Sequence, residues 1–276
     1  PAASTLIYFR QKVEAKNVVR LGWGTTGKKS ITLSFWVRCH VSGTGQVNIT
    51  HGDVNKRVGG TYTINSADTW EYKTITFPGS GDEVVNDNGT GLWVEFIITA
   101  GADAKTGSVQ TSWTTSAEGD RAAGHTLNIA ATVGHKFTLT AVQLEEGTSA
   151  TAYEHLDYGR NLQQCQRYYE KIYLSSYSAC GQAYHANNAL ASGWFRVEKR
   201  TAPNMTFPTV GQGSGNITFT TASASYPSTH GTIAPNDVSK HKFNYSGSGF
   251  TGAFGVGDAA LLHCNGTGSV EANAEL

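Results

Sequence analysis

The chain has 276 residues, with 21 basic and 21 acidic side chains and therefore no formal net charge. The basic residues are scattered, so the electrostatic footprint of a nucleic-acid-binding protein is missing and we expect no nucleic-acid partner. The longest apolar runs are far too short to cross a bilayer, so we also expect no membrane insertion. Abundant glycine and scarce proline, 32 against 6 residues, favour many short strands joined by tight turns.

The clearest predicted strand covers residues 31–41, where apolar side chains alternate with polar ones. Trp36 falls on the side opposite the apolar face of this strand. Residues 92–100 are predicted as a strand, and apolar side chains on both faces of 92–98 predict that it is central and covered on both sides. Further strands are predicted at 61–64, 70–77, 127–129 and 137–144. Loops rich in glycine and polar residues are predicted at 79–91 and 102–124.

The second half of the chain also favours strands, after an ambiguous start. Residues 161–171 fit either a helical stripe or a strand, and we interpret them as a short helical entry that passes into a strand. Later strands are predicted at 193–199, 217–221, 241–245, 249–254, 259–264 and 269–274. We therefore predict an all-β protein with two domains, residues 1–160 and 161–276. Antiparallel strands at this spacing bury their apolar faces by packing two sheets together as a β-sandwich.

Several long segments resemble one protein family in the right order. They are FRQKVEAKNVVRL (residues 9–21), KKSITLSFWVR (28–38), TYTINSADTWEYKTITFPG (61–79), NDNGTGLWVEFIITAG (86–101) and FTLTAVQLEEGTSATAYEHLDYGRNLQQCQRYYEK (137–171). Together they resemble virion proteins of bacteriophages and prophages, in which a jelly-roll β-sandwich similar to carbohydrate-binding modules passes into a CQRYYEK segment. The resemblance implies a jelly roll for the first domain, with one or two N-terminal strands missing, and a smaller β domain for oligomerisation or for the fibre tip after it.

The resemblance also implies a function and a location. We expect a virion structural protein, the distal part of a tail fibre or spike, that binds host-surface polysaccharide without catalysis. A homotrimer and contacts with other virion proteins are expected. One alternative is a capsid decoration or head-fibre protein that serves mainly in assembly. A second alternative is an accessory glycan-binding module of a secreted glycan-degrading enzyme.

Carbohydrate binding needs flat aromatic faces for the apolar side of a sugar ring and polar groups for its hydroxyls. The favoured candidate is Trp113, which lies in a predicted loop beside Thr and Ser. Trp23 stands between two glycines, and Trp36 and Trp93 are predicted to face away from the most apolar side of their strands. We predict these four tryptophans as the candidate glycan contacts.

The acids of the chain give only weak site predictions. Asp82, Glu83 and Asp87 cluster in a Gly/Asn loop and are weak candidates for a structural Ca²⁺, although their spacing is not that of an EF-hand. No carboxylate pair, histidine cluster or nucleophile motif has the spacing of a catalytic site. We therefore predict no enzymatic activity and no cofactor beyond that possible Ca²⁺.

The CQRYYEK segment is predicted as a structural junction between domains or subunits, in which tyrosines pack and charged residues form ion pairs. Its residues are Cys165, Arg167, Tyr168, Tyr169, Glu170 and Lys171. The four cysteines lie far apart without metal-type spacing, so free buried thiols are expected at Cys39, Cys165, Cys180 and Cys264. Aromatic residues in Ser/Asn/Gly-rich surroundings predict either a recognition surface or a subunit interface in the second domain: Tyr173, Tyr177, Tyr184 and Trp194.

Overall fold

The protein is divided into two compact units, residues 1–155 and 156–275, so the boundary lies shortly before the predicted one at residue 160. The computed structural model describes residues 1–173, 179–185, 188–207, 217–221, 225–226, 232–248, 256–257, 259–264 and 269–275. The predicted strand at 249–254 and Tyr177 lie outside these residues. The fold is all-β, as predicted, and its sheets are antiparallel. The jelly-roll topology stays a prediction.

Unit 1 contains eight strands and one short helix among its residues, all of which are described. The strands are β1 (Leu6–Glu14), β2 (Ile31–Cys39), β3 (Gly43–His51), β4 (Lys56–Ile64), β5 (Glu71–Phe77), β6 (Thr90–Ala100), β7 (Thr114–Thr115) and β8 (Phe137–Glu146). The helix α1 (Ala15–Val18) follows β1. The predicted strands at 31–41, 61–64, 70–77, 92–100 and 137–144 all correspond to strands here. The strand predicted at 127–129 is wrong, because this segment has only an isolated bridge from Asn128 to Thr99 and then a 3-10 turn.

The eight strands form two sheets. One has five strands in the order β1-β6-β3-β4-β7, and the other has three in the order β5-β2-β8. Strand β6 lies inside the larger sheet and is buried on both faces, as its sequence predicted. Because both sheets contribute to one apolar core, unit 1 is a two-layer sandwich.

The core is centred on an aromatic contact between the layers. The ring of Phe35 on β2 stands edge-on to Tyr62 of β4 and to Phe96 of β6, with ring centroids 5.1 Å apart in both pairs. Edge-to-face geometry is the favoured arrangement for aromatic pairs and adds to the free energy of burial. Phe35 is fully buried, so β2 is held against the larger sheet by its inward side chains.

The long loop after β6 covers the outer face of the larger sheet. The carboxylate of Glu95 on β6 is buried and accepts hydrogen bonds from the Arg121 guanidinium at 2.7 and 2.8 Å and from Arg10. Burial raises the pKa of Glu95, but these hydrogen bonds outweigh it and leave the pKa below its usual range. The Asn48 amide also donates to the backbone carbonyl of Arg121 at 2.8 Å. These polar contacts attach the loop to the sheet.

Unit 2 begins with a helix and continues as strands. The helix α2 (Tyr158–Gln166) is capped by the Asp157 carboxylate, which accepts hydrogen bonds from the backbone N–H of Gly159 and Arg160. The described strands are β9 (Tyr169–Tyr173), β10 (Ala179–His185), β11 (Asn188–Trp194), β12 (Asn204–Thr206), β13 (Ile217–Thr221), β14 (Ser225–Tyr226), β15 (Thr232–Val238), β16 (Lys242–Ser248), β17 (Ala259–Cys264) and β18 (Ser269–Asn273). The predicted helical entry into a strand is confirmed, whereas the strand predicted at 193–199 ends at Trp194.

These strands also form two sheets with one core. A seven-stranded sheet has the order β14-β13-β17-β10-β11-β16-β15, and a three-stranded sheet has the order β12-β18-β9. Phe243 and Tyr245 of β16 pack in the same cluster as Val270 and Ala272 of β18. Alternate residues of β11 face this core, so Ser192 and Trp194 lie on the outer face of the larger sheet.

The aromatic contact at Phe35 predicts how the two faces of β2 respond to mutation. Phe35→Ala should lower the free energy of unfolding by about 3–5 kcal/mol, because it leaves a cavity between the layers. Trp36→Ala, one residue along on the outer face, should cost about 1 kcal/mol or less. Urea unfolding, with hydrogen exchange in β2 as a local readout, measures both. Equal losses in the two variants would contradict this account of the core.

Candidate functional site

The candidate site is built on the outward-facing side chains of β2, whose residues alternate between the core and the solvent. Since Leu33, Phe35 and Val37 point into the core, Ser34 and Trp36 point out of the three-stranded sheet. The Trp36 side chain is 42% exposed, although it sits in the middle strand of its sheet. A large aromatic ring that is left open in this way is available to a ligand.

Tyr72 on β5 extends this aromatic surface. It is the Cα partner of Trp36 in the antiparallel register, so both side chains leave the same face of the sheet. Their ring centroids are 5.6 Å apart, with 48° between the ring planes. Sequence reasoning did not select Tyr72, although its even spacing from Trp70 and Thr74 on β5 is a signal for the same outer face.

A β-bulge in β8 shapes the other side of Trp36. Ser34 pairs with Gln143 while Trp36 pairs with Thr140, so Ala141 and Val142 together stand opposite Phe35. Ala141 has φ +48°, a left-handed conformation that costs a non-glycine residue about 1 kcal/mol or more. Bulges redirect side chains and bend strands. Here the bulge brings Ala141 into the lining beside Trp36.

The wall opposite the rings is made by the segment after β8, which returns over the outer face. Glu145 holds this segment: its carboxylate accepts hydrogen bonds from the backbone N–H of Thr151 at 2.8 Å and from the Thr151 hydroxyl at 2.7 Å. Gln143 adds a second attachment, because its side-chain oxygen accepts the backbone N–H of Glu154 at 2.9 Å. These bonds place Tyr153 beside the Trp36 ring.

Together these elements form a cleft of about 260 Å³, which we name the Trp36 cleft. Its lining residues are Ser34, Trp36, Tyr72, Ala141, Thr151, Ala152 and Tyr153. The size lies near the lower end of about 300–1,000 Å³ for small-molecule sites, so it suits a small ligand or one unit of a longer one. The seven residues supply three aromatic rings and several hydroxyl groups, and none of them has an ionisable carboxyl, imidazole or amino group.

The aromatic surface continues along the same face. Trp70 is 40% exposed, and the Arg38 guanidinium lies 5.7 Å from its ring centroid. This distance allows a cation–π contact. Trp70 and Arg38 flank the Trp36 cleft along the strand direction, because Arg38 follows Trp36 at the outward-facing spacing of β2.

The structure places the other predicted tryptophans differently. The prediction for Trp23 is wrong, because its side chain is 3% exposed and its indole N–H donates to the Lys29 carbonyl at 3.0 Å. Trp113 is also not the open loop residue that was expected. It packs against the core with its ring 5.1 Å from that of Trp23, and its N–H donates to the Pro78 carbonyl at 2.7 Å. Trp93 is half-buried, with the Arg10 guanidinium 5.3 Å from its ring.

The weak Ca²⁺ candidates are not brought together. The Asp82 carboxylate pairs with the Lys56 ammonium at 2.8 Å, and this hydrogen bond lowers the pKa of Asp82. Asp87 accepts the backbone N–H of Gly89 at 2.7 Å. Glu83 belongs to the same loop. Within the described part of the chain, no group of three or more His, Cys, Asp or Glu residues could hold a metal ion.

The residues that were predicted as a junction form their hydrogen bonds and ion pairs within unit 2. The buried Glu170 carboxylate accepts a hydrogen bond from the buried Lys199 ammonium at 2.6 Å, and Lys199 also donates to the Gln166 carbonyl. Lys171 pairs across strands with Glu271 at 3.4 Å. Backbone hydrogen bonds also hold this segment: the N–H of Arg200 donates to the Arg167 carbonyl, and the N–H of Ala274 donates to the Tyr168 carbonyl. The partly exposed Tyr169 pairs with Asn273 in the sheet. Their role between subunits stays a prediction.

The cysteine expectation holds for Cys39 and fails for Cys165. Cys39 is free and buried at the end of β2, and burial raises the pKa of its thiol. Cys165 is free but exposed on helix α2, because helix α2 buries none of its residues. The side chains of Cys180 and Cys264 lie outside the described part of the protein.

Comparison of the chain with protein-family models, with curated proteins and with solved structures found no match. Among the residues that the structure describes, no helix is both long enough and apolar enough to span a membrane.

The two hydrogen bonds from Thr151 to the Glu145 carboxylate, which we name the Glu145 clamp, should make the order of the cleft wall depend on pH. Hydrogen bonds, first from Gln143 and then from Thr151, lower the pKa of Glu145 despite the opposing effect of partial burial. A lowered folded-state pKa gives a contribution that is complete above the ordinary glutamate pKa and is lost as the pH falls through the folded value. We expect the hydrogen-exchange protection factor of the Thr151 amide to fall on acidification from about pH 6 to about pH 3.

The matched variants make this prediction specific. Glu145→Gln should lower the Thr151 protection factor at neutral pH and remove its pH dependence. Glu146→Gln should preserve both, because Glu146 pairs instead with Lys29. A protection factor that stays constant on acidification in the unmodified chain would rule out the clamp.

The buried pair in unit 2 gives a second prediction. Lys199→Met should destabilise unit 2 by about 3–5 kcal/mol, since it leaves the Glu170 carboxylate buried without a counter-charge. Lys171→Met removes an exposed pair and should cost about 1 kcal/mol or less. Hydrogen exchange in β9 and β18 during urea unfolding reports on both variants. The double variant Glu170→Met/Lys199→Met should recover most of the loss, and a failure to recover would show that the charge is not the cause.

Proposed function

We propose that this protein binds carbohydrate in the Trp36 cleft and does so without catalysis. The observation that carries the proposal is the pair of exposed rings, Trp36 and Tyr72, on the outer face of a rigid sheet. Sugars present an apolar C–H face that packs on an aromatic ring, and hydroxyl groups around their edge. A site for them needs both aromatic area and convergent hydroxyl groups.

The polar groups of the cleft match the edge of a sugar. Ser34, Thr151 and the two tyrosines can both donate and accept hydrogen bonds, as sugar hydroxyls require of their partners. Glu145 fixes the position of Thr151 through two hydrogen bonds, so part of this polar surface is ordered before the ligand binds. Such preorganisation reduces the entropy cost of binding.

The lining also points to the charge of the ligand. None of the seven lining residues is charged at neutral pH, and the flanking Arg38 guanidinium lies near the Trp70 ring, so a charged sugar would lose water without gaining a counter-charge from the lining. We therefore propose a neutral sugar unit. The same composition supports binding without hydrolysis, because glycoside cleavage needs two carboxyl groups across the scissile bond.

The biological setting is proposed from the sequence resemblance. On that basis the sugar belongs to a host-surface polysaccharide, and the protein is the distal part of a phage tail fibre or spike that assembles as a homotrimer. A single cleft with few anchoring rings gives weak binding, and three copies on one particle would raise it through avidity. The shallow, preformed cleft suits reversible adhesion of this kind.

The proposal predicts that Trp36→Ala weakens binding of a neutral oligosaccharide by roughly 30-fold, equivalent to about 2 kcal/mol, because it removes the main stacking surface. Tyr72→Ala should cause a smaller loss, and Trp36→Phe should retain part of the affinity. The measurement is NMR titration or calorimetry with a panel of neutral oligosaccharides, starting with the purified full chain.

Tyr158→Ala is the matched control, because Tyr158 is 78% exposed on helix α2 and lies outside the cleft. It should bind like the unmodified chain. Urea unfolding should show that all variants stay folded. If the chain binds a neutral saccharide and Trp36→Ala binds it equally well, the site is elsewhere; if no neutral saccharide in the panel binds, the proposed function is wrong.

A further inference from the structure

The outer face of the seven-stranded sheet in unit 2 carries a second open aromatic ring. Trp194 at the end of β11 is 71% exposed, the most open of the described tryptophans in either unit. It is held in a regular strand, whose neighbouring residue Gly193 packs directly over Phe243 in the core. The ring is therefore displayed from a fixed backbone.

The strand register identifies the neighbours of Trp194. Lys242 of β16 is its direct Cα partner, so the two side chains leave the same face of the sheet. One row along, Ser192 pairs with Asn244, and the Ser192 hydroxyl lies 2.8 Å from the Asn244 side-chain oxygen. We name these four residues the Trp194 face.

The residue types of the Trp194 face favour a sugar over a protein partner. A protein interface needs a desolvated apolar centre, and hot-spot residues are surrounded by other packed side chains. Among the described residues, Trp194 instead has a lysine as its strand partner and a hydroxyl–amide pair in the next row. One flat apolar ring with polar groups beside it matches a sugar, whose C–H face and hydroxyls require that combination.

Lys242 indicates which class of sugar the Trp194 face would bind. Its side chain leaves the sheet directly opposite Trp194 in the strand pairing, whereas the nearest acid on the register, Asp237 on β15, lies on the far side of Asn244 and one row away. A sugar stacked on Trp194 therefore meets the cation before it meets the carboxylate. We propose that the Trp194 face is a second saccharide site, selective for a sugar unit that carries a carboxylate, such as a hexuronate.

This inference goes beyond the Trp36 cleft in both location and ligand charge. The two sites lie in different units and use different residues, so each can fail without the other. Their charge preference differs because no lining residue of the Trp36 cleft is charged at neutral pH, whereas the Trp194 face has a lysine.

The experiment uses the full chain and two probes, a neutral gluco-oligosaccharide panel and an oligogalacturonate of matched length. Trp194→Ala should weaken oligogalacturonate binding at least 10-fold and leave neutral-sugar binding unchanged. Lys242→Gln should weaken oligogalacturonate binding several-fold and reduce its salt dependence, because one screened charge contact is lost. Lys16→Gln, an exposed lysine on α1, is the control and should change neither.

The outcomes separate the two proposals. If neutral sugars bind through Trp36 but oligogalacturonate does not bind, the Trp194 face is wrong and the Trp36 cleft stands. If oligogalacturonate binds and Trp194→Ala leaves its affinity unchanged, the second site is also wrong. Loss of oligogalacturonate binding in Trp36→Ala rather than in Trp194→Ala would assign the acidic sugar to the first cleft and overturn the inference.

Discussion

The contact of Phe35 with Tyr62 and Phe96 constrains the rest of unit 1. It holds the middle strand of the smaller sheet against the larger sheet, so β2 cannot rotate or slip by one residue without burying Trp36 in place of Phe35. The exposed face of the sheet is thus determined from inside. The Trp36 cleft lies on the outer surface of the same strand whose inner surface forms the core, so packing in the core fixes the backbone that carries the proposed binding surface.

Alternation in the sequence predicts the strands whose burial follows their own apolar residues. β2, β5 and β6 were found in this way, and so was the outward direction of Trp36. β3 was missed, because Gln46, Asn48 and Thr50 give it a polar sequence although the strand is buried on both faces. Their burial depends on the long loop, whose carbonyl groups at Asp120 and Arg121 accept hydrogen bonds from Gln46 and Asn48. Val47 and Ile49 alternate with these polar residues, but two apolar side chains are too short a period to select the strand, and the burial of its polar face depends on distant contacts.

The residues of the Trp36 cleft, like the strands, were only partly predictable from the sequence. Local pattern selected Trp36, but it also selected Trp23 and Trp113, whose glycine and threonine neighbours suggest exposure. Those two rings pack on each other across 90 residues of sequence, a contact that only the fold reveals. Tyr153 enters the cleft through the hydrogen bonds of the next segment to Glu145, which was not predicted as a site residue. Long-range contacts thus decide which aromatic residues remain available to a ligand.

Both units pair their buried carboxylates internally, but their outer faces carry different side chains. Each neutralises a buried carboxylate internally, Glu95 with two arginines and Glu170 with Lys199. Because those charges are satisfied inside, the outer faces are free to differ: one presents rings and hydroxyls, and the other adds Lys242 beside a ring. Under the two proposals, a polysaccharide that contains both neutral and acidic units would offer a ligand to each site, whereas a homopolymer of either kind would occupy only one of them.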